Sequence, residues 1–579
     1  MNPSRFQPFQ ERDVHVQTSH AKHAAPGTPS DLRAAFRRRA RDELARLREA
    51  LADPEAVQST VLAAAVEANR DSAFGRSHGF SAVTSVDDYR AAVPIRVHEE
   101  FAPWLDRVID GESGVLSCED PVVYFSSSGT TGVEKRIPVT VTYLKRSFLP
   151  FYFSALATAV ERYPGMTAAD DSVLNLWQDP FSRTGCTEGG QPHIGASQID
   201  FGRIGEDVAT GLGNRAPWGR LPERFDESDP WERTYLRLRL AAEHDIRAVV
   251  AVNPAIAAAL PYQLGLWWQR IVKEVRDGTL GGTPFREPAP DRARMIEQAA
   301  RRFGVPRPCD LWPRLDAVLA WTCYTARLYL PRVAHRYGPR VRVLPAPLGS
   351  CEGPLAAPVD RHLTAGALAT PSCFYEFVPA EEDIRGDAGT VLAHEVEQGR
   401  DYHVVLSHIG GLYRCATRDI VRVAGFVGRT PRIEYCGRDG TLSAAGERLR
   451  EHEALRAVSA AVTDTGLEVG NLAWRLDPAK AGAPSHQAAV AFHGRITGVE
   501  RQVFTRVLDA RLAEESAGYR RAREQGALDP LSVVPVKPEL FLRDWRRRVE
   551  AGERPPRVKD RVFRSDSSIW ARPDEEQPR

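Results

Sequence analysis

The residues best suited to chemistry form the stretch Ser126–Lys135, which reads Ser-Ser-Ser-Gly-Thr-Thr-Gly-Val-Glu-Lys. Its glycines leave room for backbone N–H groups to approach phosphate oxygens closely. The Ser and Thr hydroxyls add hydrogen-bond donors, and Lys135 adds a point charge suited to phosphate. Lysine is rare in this chain, whose 77 basic residues are mostly arginine. The stretch predicts a phosphate-binding loop, and the alternative is a Ser/Gly-rich surface turn.

The spacing of this stretch differs from that of the P-loop of nucleotide hydrolases. A P-loop needs a glycine, four further residues and then Gly-Lys-Ser/Thr at the start of a helix. Here Gly129 and Gly132 are too close together, and Lys135 is followed by Arg-Ile-Pro. The pattern Ser-Ser-Gly-Thr-Thr-Gly-x-x-Lys instead resembles the phosphate loop of the adenylate-forming enzymes, which activate a carboxylic acid with ATP.

Length and composition indicate a multidomain globular protein. A chain of 579 residues is too long for one compact core. Its formal net charge of +1 argues against a nucleic-acid partner or an anionic membrane. No apolar run reaches the ~18–20 residues that a membrane helix needs, and the N-terminus lacks the pattern of a secretory signal. We therefore expect a cytoplasmic monomer without a membrane or nucleic-acid partner.

The eight cysteines are scattered and include no Cys-x-x-Cys pair. Neither a zinc site nor a disulfide framework is predicted from this spacing. Reduced, buried thiols are the expectation.

Hydrophobic patterning predicts strands that alternate with helices. Short apolar runs occur at 122–125, 172–176, 248–252, 341–344, 420–423 and 433–435, with helical patterns at 235–244 and 262–275 between them. This alternation predicts α/β layers with a substantially parallel sheet. Residues 1–30 lack periodicity and are expected to be a disordered tail. A break at Gly437–Gly440 is the expected domain hinge, which divides the rest into 31–437 and 438–579.

Several short motifs occur in the order of one known family. They are Phe74-Gly75-Arg76, Val93-Pro94-Ile95, Gly111-Glu112, the Ser126–Lys135 stretch with Ile137-Pro138, Trp268 through Gly278, Leu311-Trp312-Pro313, Gly349-Ser350-Cys351-Glu352-Gly353, Phe374 through Pro379, Gly411-Leu412-Tyr413-Arg414 with Asp419, and Leu442-Ser443. Over most of residues 60–455 the chain resembles the auxin-responsive Gretchen Hagen 3 family of acyl-acid-amido synthetases. The resemblance implies an α/β fold, with a large N-terminal adenylation domain of layered sheets and helices and a smaller α+β C-terminal domain that rotates between half-reactions.

The resemblance also implies how ATP is held at the loop. Ser127, Ser128, Thr130, Thr131 and Lys135 are expected to hold the β- and γ-phosphates. Gly129 and Gly132 are expected to permit close approach of the backbone.

Four further positions match the family's nucleotide site. Glu352, in the turn that also carries Ser350, matches a carboxylate near Mg²⁺, an ion that prefers oxygen ligands and substrate phosphates. Asp419 matches the acceptor of both ribose hydroxyls. Tyr413 is expected to line the nucleotide pocket or to belong to the core. The alternative for Glu352 and Asp419 is a turn residue without a ligand.

Three arginines are candidate catalytic residues, and two of them depart from the family pattern. Arg438 lies at the expected hinge and is expected to touch phosphate or ribose, unless it is a solvated turn residue. Arg448 and Arg554 occupy places where relatives carry lysines. Arginine keeps the charge of lysine but not the ammonium geometry, so the adenylation step is better supported than the conjugation step.

The implied reaction has two steps and uses ATP and Mg²⁺. A small carboxylic acid attacks the ATP α-phosphate and releases pyrophosphate, and an amine, such as an amino acid, then displaces AMP from the acyl carbon. His193, His403 and His408 are candidates to take the amine proton, although structural roles fit each of them better. The alternatives are an acyl-coenzyme A or carrier-protein ligase, a silent nucleotide-binding homologue and a phosphate-binding kinase.

Overall fold

The computed structural model describes residues 29–128, 134–176, 185–187, 191–194, 216–219, 221–222, 225, 229–251, 253–477, 482–551, 558, 561–564, 566 and 568–570. The expected tail therefore lies outside the described residues, apart from the first residues of a helix that begins at Pro29.

The helices follow the predicted apolar periodicity closely. They are α1 (Pro29–Ala50), α2 (Pro54–Ala68), α3 (Ala73–Ser77), α4 (Val86–Ala92), α5 (Ala102–Ile109), α6 (Val141–Tyr143), α7 (Leu149–Arg162), α8 (Pro230–Ala241), α9 (Pro254–Asp277), α10 (Pro290–Phe303), α11 (Pro308–Leu311), α12 (Ala326–Tyr337), α13 (Glu451–Thr465), α14 (Gly498–Glu515), α15 (Ala517–Glu524) and α16 (Pro538–Glu550). Across the described residues, none of them combines the length and the apolarity of a membrane-spanning helix.

The strands are more numerous than the apolar runs indicate. They are β1 (Arg96–Val97), β2 (Val123–Ser128), β3 (Glu134–Val139), β4 (Val173–Asn175), β5 (Gly185–Cys186), β6 (Pro192–Ile194), β7 (Ala248–Val250), β8 (Thr279–Leu280), β9 (Thr283–Pro284), β10 (Ala317–Ala320), β11 (Arg342–Pro345), β12 (Leu348–Gly349), β13 (Pro354–Ala357), β14 (Gly366–Leu368), β15 (Phe374–Pro379), β16 (Val391–Leu392), β17 (Asp401–His408), β18 (Leu412–Val427), β19 (Thr430–Arg438), β20 (Thr441–Leu442), β21 (Leu449–Arg450), β22 (Val469–Leu476), β23 (His486–Phe492) and β24 (Ser532–Pro535).

Local chemistry explains where the long helix α9 begins and ends. The Asn253 side chain accepts a hydrogen bond from the N–H of Ala255, and Pro254 fills the first helical position, where no N–H is needed. The helix ends at Gly278, whose φ of 70° is a conformation that favours glycine. A Cβ at Gly278 would also lie 2.2 Å from the carbonyl oxygen of Arg286. Gly278 therefore fixes the end of this helix.

A parallel four-stranded sheet confirms one part of the predicted α/β layering. Its order is β11-β10-β7-β4, and every neighbouring pair is parallel. All three residues of β4 and β7 and all four of β10 are buried. Strands that are buried on both faces read as continuous apolar runs, which is why the runs at 172–176 and 248–252 predicted β4 and β7. Strand β10 has the same character but was not predicted.

The largest sheet does not match the expectation of a substantially parallel sheet. It has nine strands in the order β12-β13-β14-β19-β18-β17-β15-β16, with β1 added parallel to β18. Every other pairing in it is antiparallel. Short turns such as the one between β17 and β18 can join only antiparallel neighbours. The prediction was wrong here because apolar runs do not reveal which strands pair.

The C-terminal part is a smaller α+β unit, as expected. Strands β22 and β23 pair antiparallel, and β24 adds parallel to β23. Helices α14 and α15 are separate, because Ser516 ends α14 and its side chain accepts a hydrogen bond from Tyr519 N–H at the start of α15. Glu447 and His486 are fully buried in this unit, with Nε2 of His486 2.9 Å from Oε1 of Glu447.

A buried ion pair fastens the large sheet to the N-terminal helices. The Arg414 guanidinium donates to both oxygens of Glu376 at 2.9 and 3.1 Å, and the side chain of Arg90 donates to Glu376 at 3.0 Å. Arg414 also donates to the carbonyl oxygen of Val93 at 2.7 Å. Two guanidinium groups therefore depend on one carboxylate that is almost fully buried.

We predict that Glu376→Ala lowers the free energy of unfolding by about 3–5 kcal/mol, because it leaves the buried Arg414 charge without its counterion. The measurement is urea unfolding at neutral pH. The matched control is Asp277→Ala, which removes an exposed ion pair with Lys273 at 3.0 Å and should cost less than about 1 kcal/mol. Equal losses in the two variants would contradict this account of the buried pair.

Candidate active site

The predicted phosphate loop is the tip of a β-hairpin. Strands β2 and β3 pair antiparallel, with Ser127 opposite Lys135 and Ser128 opposite Glu134. Of the predicted phosphate ligands in the loop itself, Gly129, Thr130, Thr131 and Gly132 lie outside the described residues. Lys135 lies on β3 rather than in the loop, so the pairing of the hairpin fixes the place of its backbone.

Lys135 and Glu352 form an ion pair at the foot of this hairpin. The Nζ atom of Lys135 lies 3.1 Å from Oε1 of Glu352, and the two side chains are only 11% and 3% exposed. Burial acts to raise the pKa of Glu352, but the charge of Lys135 and hydrogen bonds to the carboxylate outweigh it. The pKa of Glu352 is therefore below its ordinary value, and the carboxylate is ionised at neutral pH.

Ser350 orients this carboxylate. Its hydroxyl hydrogen-bonds to Glu352, and its backbone N–H donates to the carbonyl oxygen of Gly353 at 2.9 Å, which closes the turn after β12. The turn is tight because a Cβ at Gly353 would lie 3.1 Å from the sulfur of Cys373. Ser350 thus orients Glu352, the predicted Mg²⁺ ligand. A direct contact between Ser350 and the nucleotide stays a prediction.

Asp419 and Arg438 form a second ionic pair nearby. They are directly opposite each other on β18 and β19, with Nε of Arg438 3.5 Å from Oδ1 of Asp419. The Asp419 side chain is 10% exposed and that of Arg438 is 33% exposed. Burial acts to lower the pKa of Arg438, but the charges of Asp419, Tyr435 and Glu352 raise it. Because the charge of Glu352 acts on Arg438, the two ion pairs belong to one site.

The backbone is strained beside this site. Arg418, Arg414 and Tyr324 have φ values of 62°, 48° and 58°, a region that residues other than glycine rarely adopt. Arg418 directly precedes Asp419, and Tyr324 follows β10 at the edge of the parallel sheet. Strained residues of this kind cluster at ligand sites, where the surrounding structure holds them in place.

Tyr413 belongs to the core and not to the nucleotide pocket. Its side chain is fully buried, and its ring stacks on Phe74 with ring centroids 4.6 Å apart. Its hydroxyl donates to the carbonyl oxygen of Leu116 at 2.7 Å. The prediction that Tyr413 binds cofactor is corrected, because the ring has no free face to offer to a nucleotide.

Arg448, another candidate arginine, is not among the described residues that meet at this site. Arg448 is exposed and pairs with Asp383 at 2.7 Å, so it links the C-terminal unit to the loop after β15. Arg554 lies outside the described residues. Of the two candidate arginines that the structure describes, Arg438 lies beside Asp419 and Arg448 does not.

Two functional candidates escaped the sequence reasoning, namely His98 and Glu99. They lie on a short 3-10 turn, His98–Phe101, that follows β1. Glu99 Oε2 is 3.9 Å from NH2 of Arg418, and the charges of Lys135 and Glu352 act on His98. The nearby Val93-Pro94-Ile95 motif was the sequence feature closest to this segment. Its spacing did not predict that His98 and Glu99 lie at the site.

The three histidines that were proposed as proton acceptors have different structural surroundings. His408 is fully buried against Tyr143, its Nδ1 accepts a hydrogen bond from Gly410 N–H at 3.0 Å, and burial lowers its pKa to about 3. His403 is buried on β17. The backbone of His193 lies on β6, beside Tyr124. The structural role expected of His408 fits its closed environment.

Known protein families match three consecutive parts of this chain. The GH3 family N-terminal domain matches residues 43–343, the GH3 family central domain matches 366–438, and the GH3 family C-terminal domain matches 452–563. The chain belongs to the GH3 family. The resemblance that the motifs indicated is therefore confirmed over nearly the whole length, whereas the hinge at 437–440 stays a prediction.

Curated relatives carry amido-synthetase names. The chain is 24% identical over 447 residues to jasmonoyl–L-amino acid synthetase GH3.5 of Oryza sativa subsp. japonica, covering 71% of this chain and 75% of that one. It is 24% identical over 523 residues to jasmonoyl–L-amino acid synthetase JAR6 of Nicotiana attenuata, covering 84% and 87%.

A solved structure matches the fold. The acyl acid amido synthetase AtGH3.15, in complex with 2,4-DB, superposes with a TM-score of 0.75 at 18% identity, covering 95% of this chain and 96% of that one. The predicted arrangement of a large N-terminal part and a smaller α+β C-terminal part is confirmed by this match.

We predict that Lys135→Met lowers the free energy of unfolding at pH 7 by about 3–5 kcal/mol, because it strands a buried carboxylate. The second change Glu352→Gln should restore most of this loss. Chemical unfolding of both single variants and the double variant gives the coupling between the two side chains.

The pH dependence of the same variants should change sign. In the wild type, the pKa of Glu352 is lower in the folded than in the unfolded protein. Its stabilisation is therefore present near neutral pH and is lost as the pH falls through the folded pKa. In Lys135→Met, burial raises the folded pKa of Glu352, so acidification should stabilise this variant relative to the wild type. Parallel pH profiles would contradict the ion-pair account.

Proposed function

We propose that this GH3-family ligase adenylates a small carboxylic acid at the Lys135, Glu352 and Asp419 site and conjugates the acyl group to an amine, such as an amino acid. The observation that supports this most directly is the convergence of a lysine, an ionised buried carboxylate and a second carboxylate at the foot of the Ser/Gly-rich hairpin. These three groups match the needs of triphosphate, metal and ribose respectively.

Adenylation requires alignment and charge stabilisation more than covalent help from the protein. Lys135 is proposed to bind triphosphate oxygens, together with the hydroxyls and N–H groups of residues 127–132. Asp419 is proposed to accept hydrogen bonds from both ribose hydroxyls, as a carboxylate can do for a diol. Arg438, held beside Asp419, then lies close enough to share the nucleotide.

The site suits Mg²⁺. This ion is usually held by one or two carboxylates together with substrate phosphates, rather than by a cage of protein ligands. Glu352 supplies one ionised oxygen donor, and the described residues contain no cluster of three or more His, Cys, Asp and Glu side chains that is placed to hold a metal. When bound, Mg²⁺ neutralises phosphate charge, and Glu352 is the residue proposed to hold it.

The acceptor is proposed to be an amine rather than a thiol, in keeping with the amido-synthetase names of the relatives. The relatives named as jasmonoyl–amino acid synthetases favour acids with an apolar ring and amino acids as the panels to test first. We further propose that the enzyme works as a cytoplasmic monomer. Its formal net charge of +1 offers nothing that would attract nucleic acid.

The proposed function is tested with purified protein, ATP, Mg²⁺ and a panel of carboxylic acids crossed with amino acids. The expected products are AMP, pyrophosphate and an amide that mass spectrometry identifies. ADP as the product would favour a kinase, and acyl transfer to coenzyme A but not to amines would favour a thiol ligase. Absence of both AMP and pyrophosphate with every acid would contradict adenylation.

We predict that Asp419→Asn raises the KM for ATP by about tenfold, the effect of about 1.4 kcal/mol of lost binding, with a smaller change in kcat. The amide keeps the shape of the side chain but loses the charge that faces Arg438 and the second strong acceptor for ribose. Asp360→Asn is the matched control, since Asp360 pairs with Arg432 by two hydrogen bonds on an exposed surface. It should leave the KM unchanged.

A nucleotide that lacks ribose hydroxyls tests directly whether Asp419 binds the ribose. If Asp419 binds the diol, 2′,3′-dideoxy-ATP should be used about equally poorly by the wild type and by Asp419→Asn. A variant that discriminates against the dideoxy nucleotide as strongly as the wild type does would place the ribose elsewhere.

A further inference from the structure

His98 lies where two strands of the site meet. It follows β1, whose residue Val97 pairs in parallel with Ala416 of β18. The adjacent Glu99 reaches Arg418 on β18, and His98 itself is hydrogen-bonded to the backbone of Arg136 on β3. The turn that carries His98 therefore bridges the strand of Lys135 and the strand of Asp419.

The two ring nitrogens of His98 have different surroundings. Nε2 is buried and has no hydrogen-bond partner among the residues that the structure describes. The bond to the backbone of Arg136 therefore runs through Nδ1. A carbonyl that accepts from Nδ1–H fixes the tautomer in which Nε2 carries a lone pair.

The charges around His98 favour the neutral ring. Burial, reinforced by the charge of Lys135, lowers its pKa below the ordinary value, while the charges of Glu352 and Glu99 oppose the shift. A neutral imidazole with a free lone pair can accept a proton at neutral pH. A buried polar atom without a partner also carries a free-energy cost, which a ligand that supplies the missing hydrogen bond would remove.

We propose that Nε2 of His98 accepts the proton of the attacking amine in the second half-reaction. The inference rests on the proposed function, because it requires an acyl-adenylate at the Lys135 and Glu352 site. It makes His98 a catalytic residue for conjugation and not for adenylation.

The step balances as follows. The lone pair of the neutral amine forms the new C–N bond at the acyl carbon, and the bond from that carbon to the AMP oxygen breaks, with its electron pair leaving on AMP. The nitrogen loses one proton, which Nε2 takes to form the imidazolium. The imidazolium then returns the proton to solvent, and the net products are amide, AMP and one proton.

The other histidines of the site fit this role less well. Nε2 of His408 also lacks a hydrogen-bond partner among the described residues, but the whole ring is buried against Tyr143, whereas His98 is only half-buried. The charge of Lys135 acts on His98, whereas the charged groups that act on His403 are Asp439 and Arg450. His98 thus combines a free ring nitrogen with proximity to the acyl-adenylate corner.

The test separates the two half-reactions in His98→Gln, a variant that can still donate a hydrogen bond to Arg136 but cannot take a proton. Acid-dependent pyrophosphate exchange measures adenylation. Mixing preformed enzyme-bound acyl-adenylate with an amino acid then measures conjugation in a single turnover. We expect exchange within about threefold of the wild type and conjugation slowed by about 100-fold or more, the usual size of a general-base contribution.

Amine basicity supplies a readout that a structural role would not move. Hydroxylamine has a far more acidic conjugate acid than an amino acid and is itself neutral at neutral pH. The deficit of His98→Gln should therefore be several-fold smaller with hydroxylamine than with the amino acid. An equal deficit with both amines would contradict proton transfer to His98.

His78→Gln is the matched control. Nδ1 of His78 lies 2.9 Å from the Phe74 carbonyl oxygen, as expected for a histidine bonded to backbone, but its Nε2 is occupied by Arg96 at 3.0 Å. Both half-reactions should be unchanged in this variant once its folding is verified by thermal unfolding.

Three outcomes would overturn the proposal. Equal losses of exchange and conjugation in His98→Gln would make His98 a support for Lys135 and Glu352. Unchanged conjugation would remove it from the mechanism. A wild-type protein without acid-dependent pyrophosphate exchange would contradict the proposed function itself, and the role of His98 with it.

Discussion

The ion pair between Lys135 and Glu352 is the constraint on which the site depends. Either charge buried alone would be costly, because desolvation of an isolated ion is unfavourable by several kcal/mol and shifts the pKa of the group towards its neutral form. The pair joins the hairpin β2–β3 to the turn after β12, segments that are more than 200 residues apart. When ATP and its metal ion bind, a phosphate would take the place of Glu352 beside Lys135. The cation would take the place of Lys135 beside Glu352. Charge balance in the buried site is thereby preserved before and after binding.

The sequence predicted the residues of the site more completely than it predicted the fold. Lys135, Glu352, Asp419 and Arg438 could be predicted because each follows or belongs to a local motif whose side chain suits one part of ATP. Their arrangement could not be predicted, since it depends on strand pairings such as that of β1 with β18. Pairing between distant segments leaves no local periodicity in the sequence. The same limit explains why the antiparallel sheet and the presence of His98 at the site were missed, and why the sequence could not decide between the pocket and the core for Tyr413.

The C-terminal unit contacts the N-terminal part through polar groups as well as through apolar packing, in which Leu328 of α12 is buried among C-terminal core residues. The hydroxyl of Tyr324 hydrogen-bonds to Glu451, whose Oε1 also accepts from Val562 N–H at 3.0 Å. Asp401 holds His452 of the C-terminal unit at 3.0 Å. Tyr324 also packs against Tyr435, with ring centroids 5.5 Å apart, and burial together with the negative charge of Asp419 raises the pKa of Tyr435. These polar groups would need new partners, in protein, water or ligand, if the unit rotates between half-reactions as the family resemblance implies.

The arginine-rich composition of the chain bears on how an amine could lose its proton. Arg438, Arg448 and Arg554 occupy the candidate catalytic positions, and a guanidinium supplies charge and donors but cannot be deprotonated in a protein. Glu352 is ionised yet committed to Lys135, and Asp419 is committed to Arg438. The proton acceptor must then be a neutral side chain whose lone pair accepts no hydrogen bond from the protein. Nε2 of His98 meets that condition on a ring that is only half-buried, whereas the ring of His408, whose Nε2 also lacks a partner among the described residues, is fully buried.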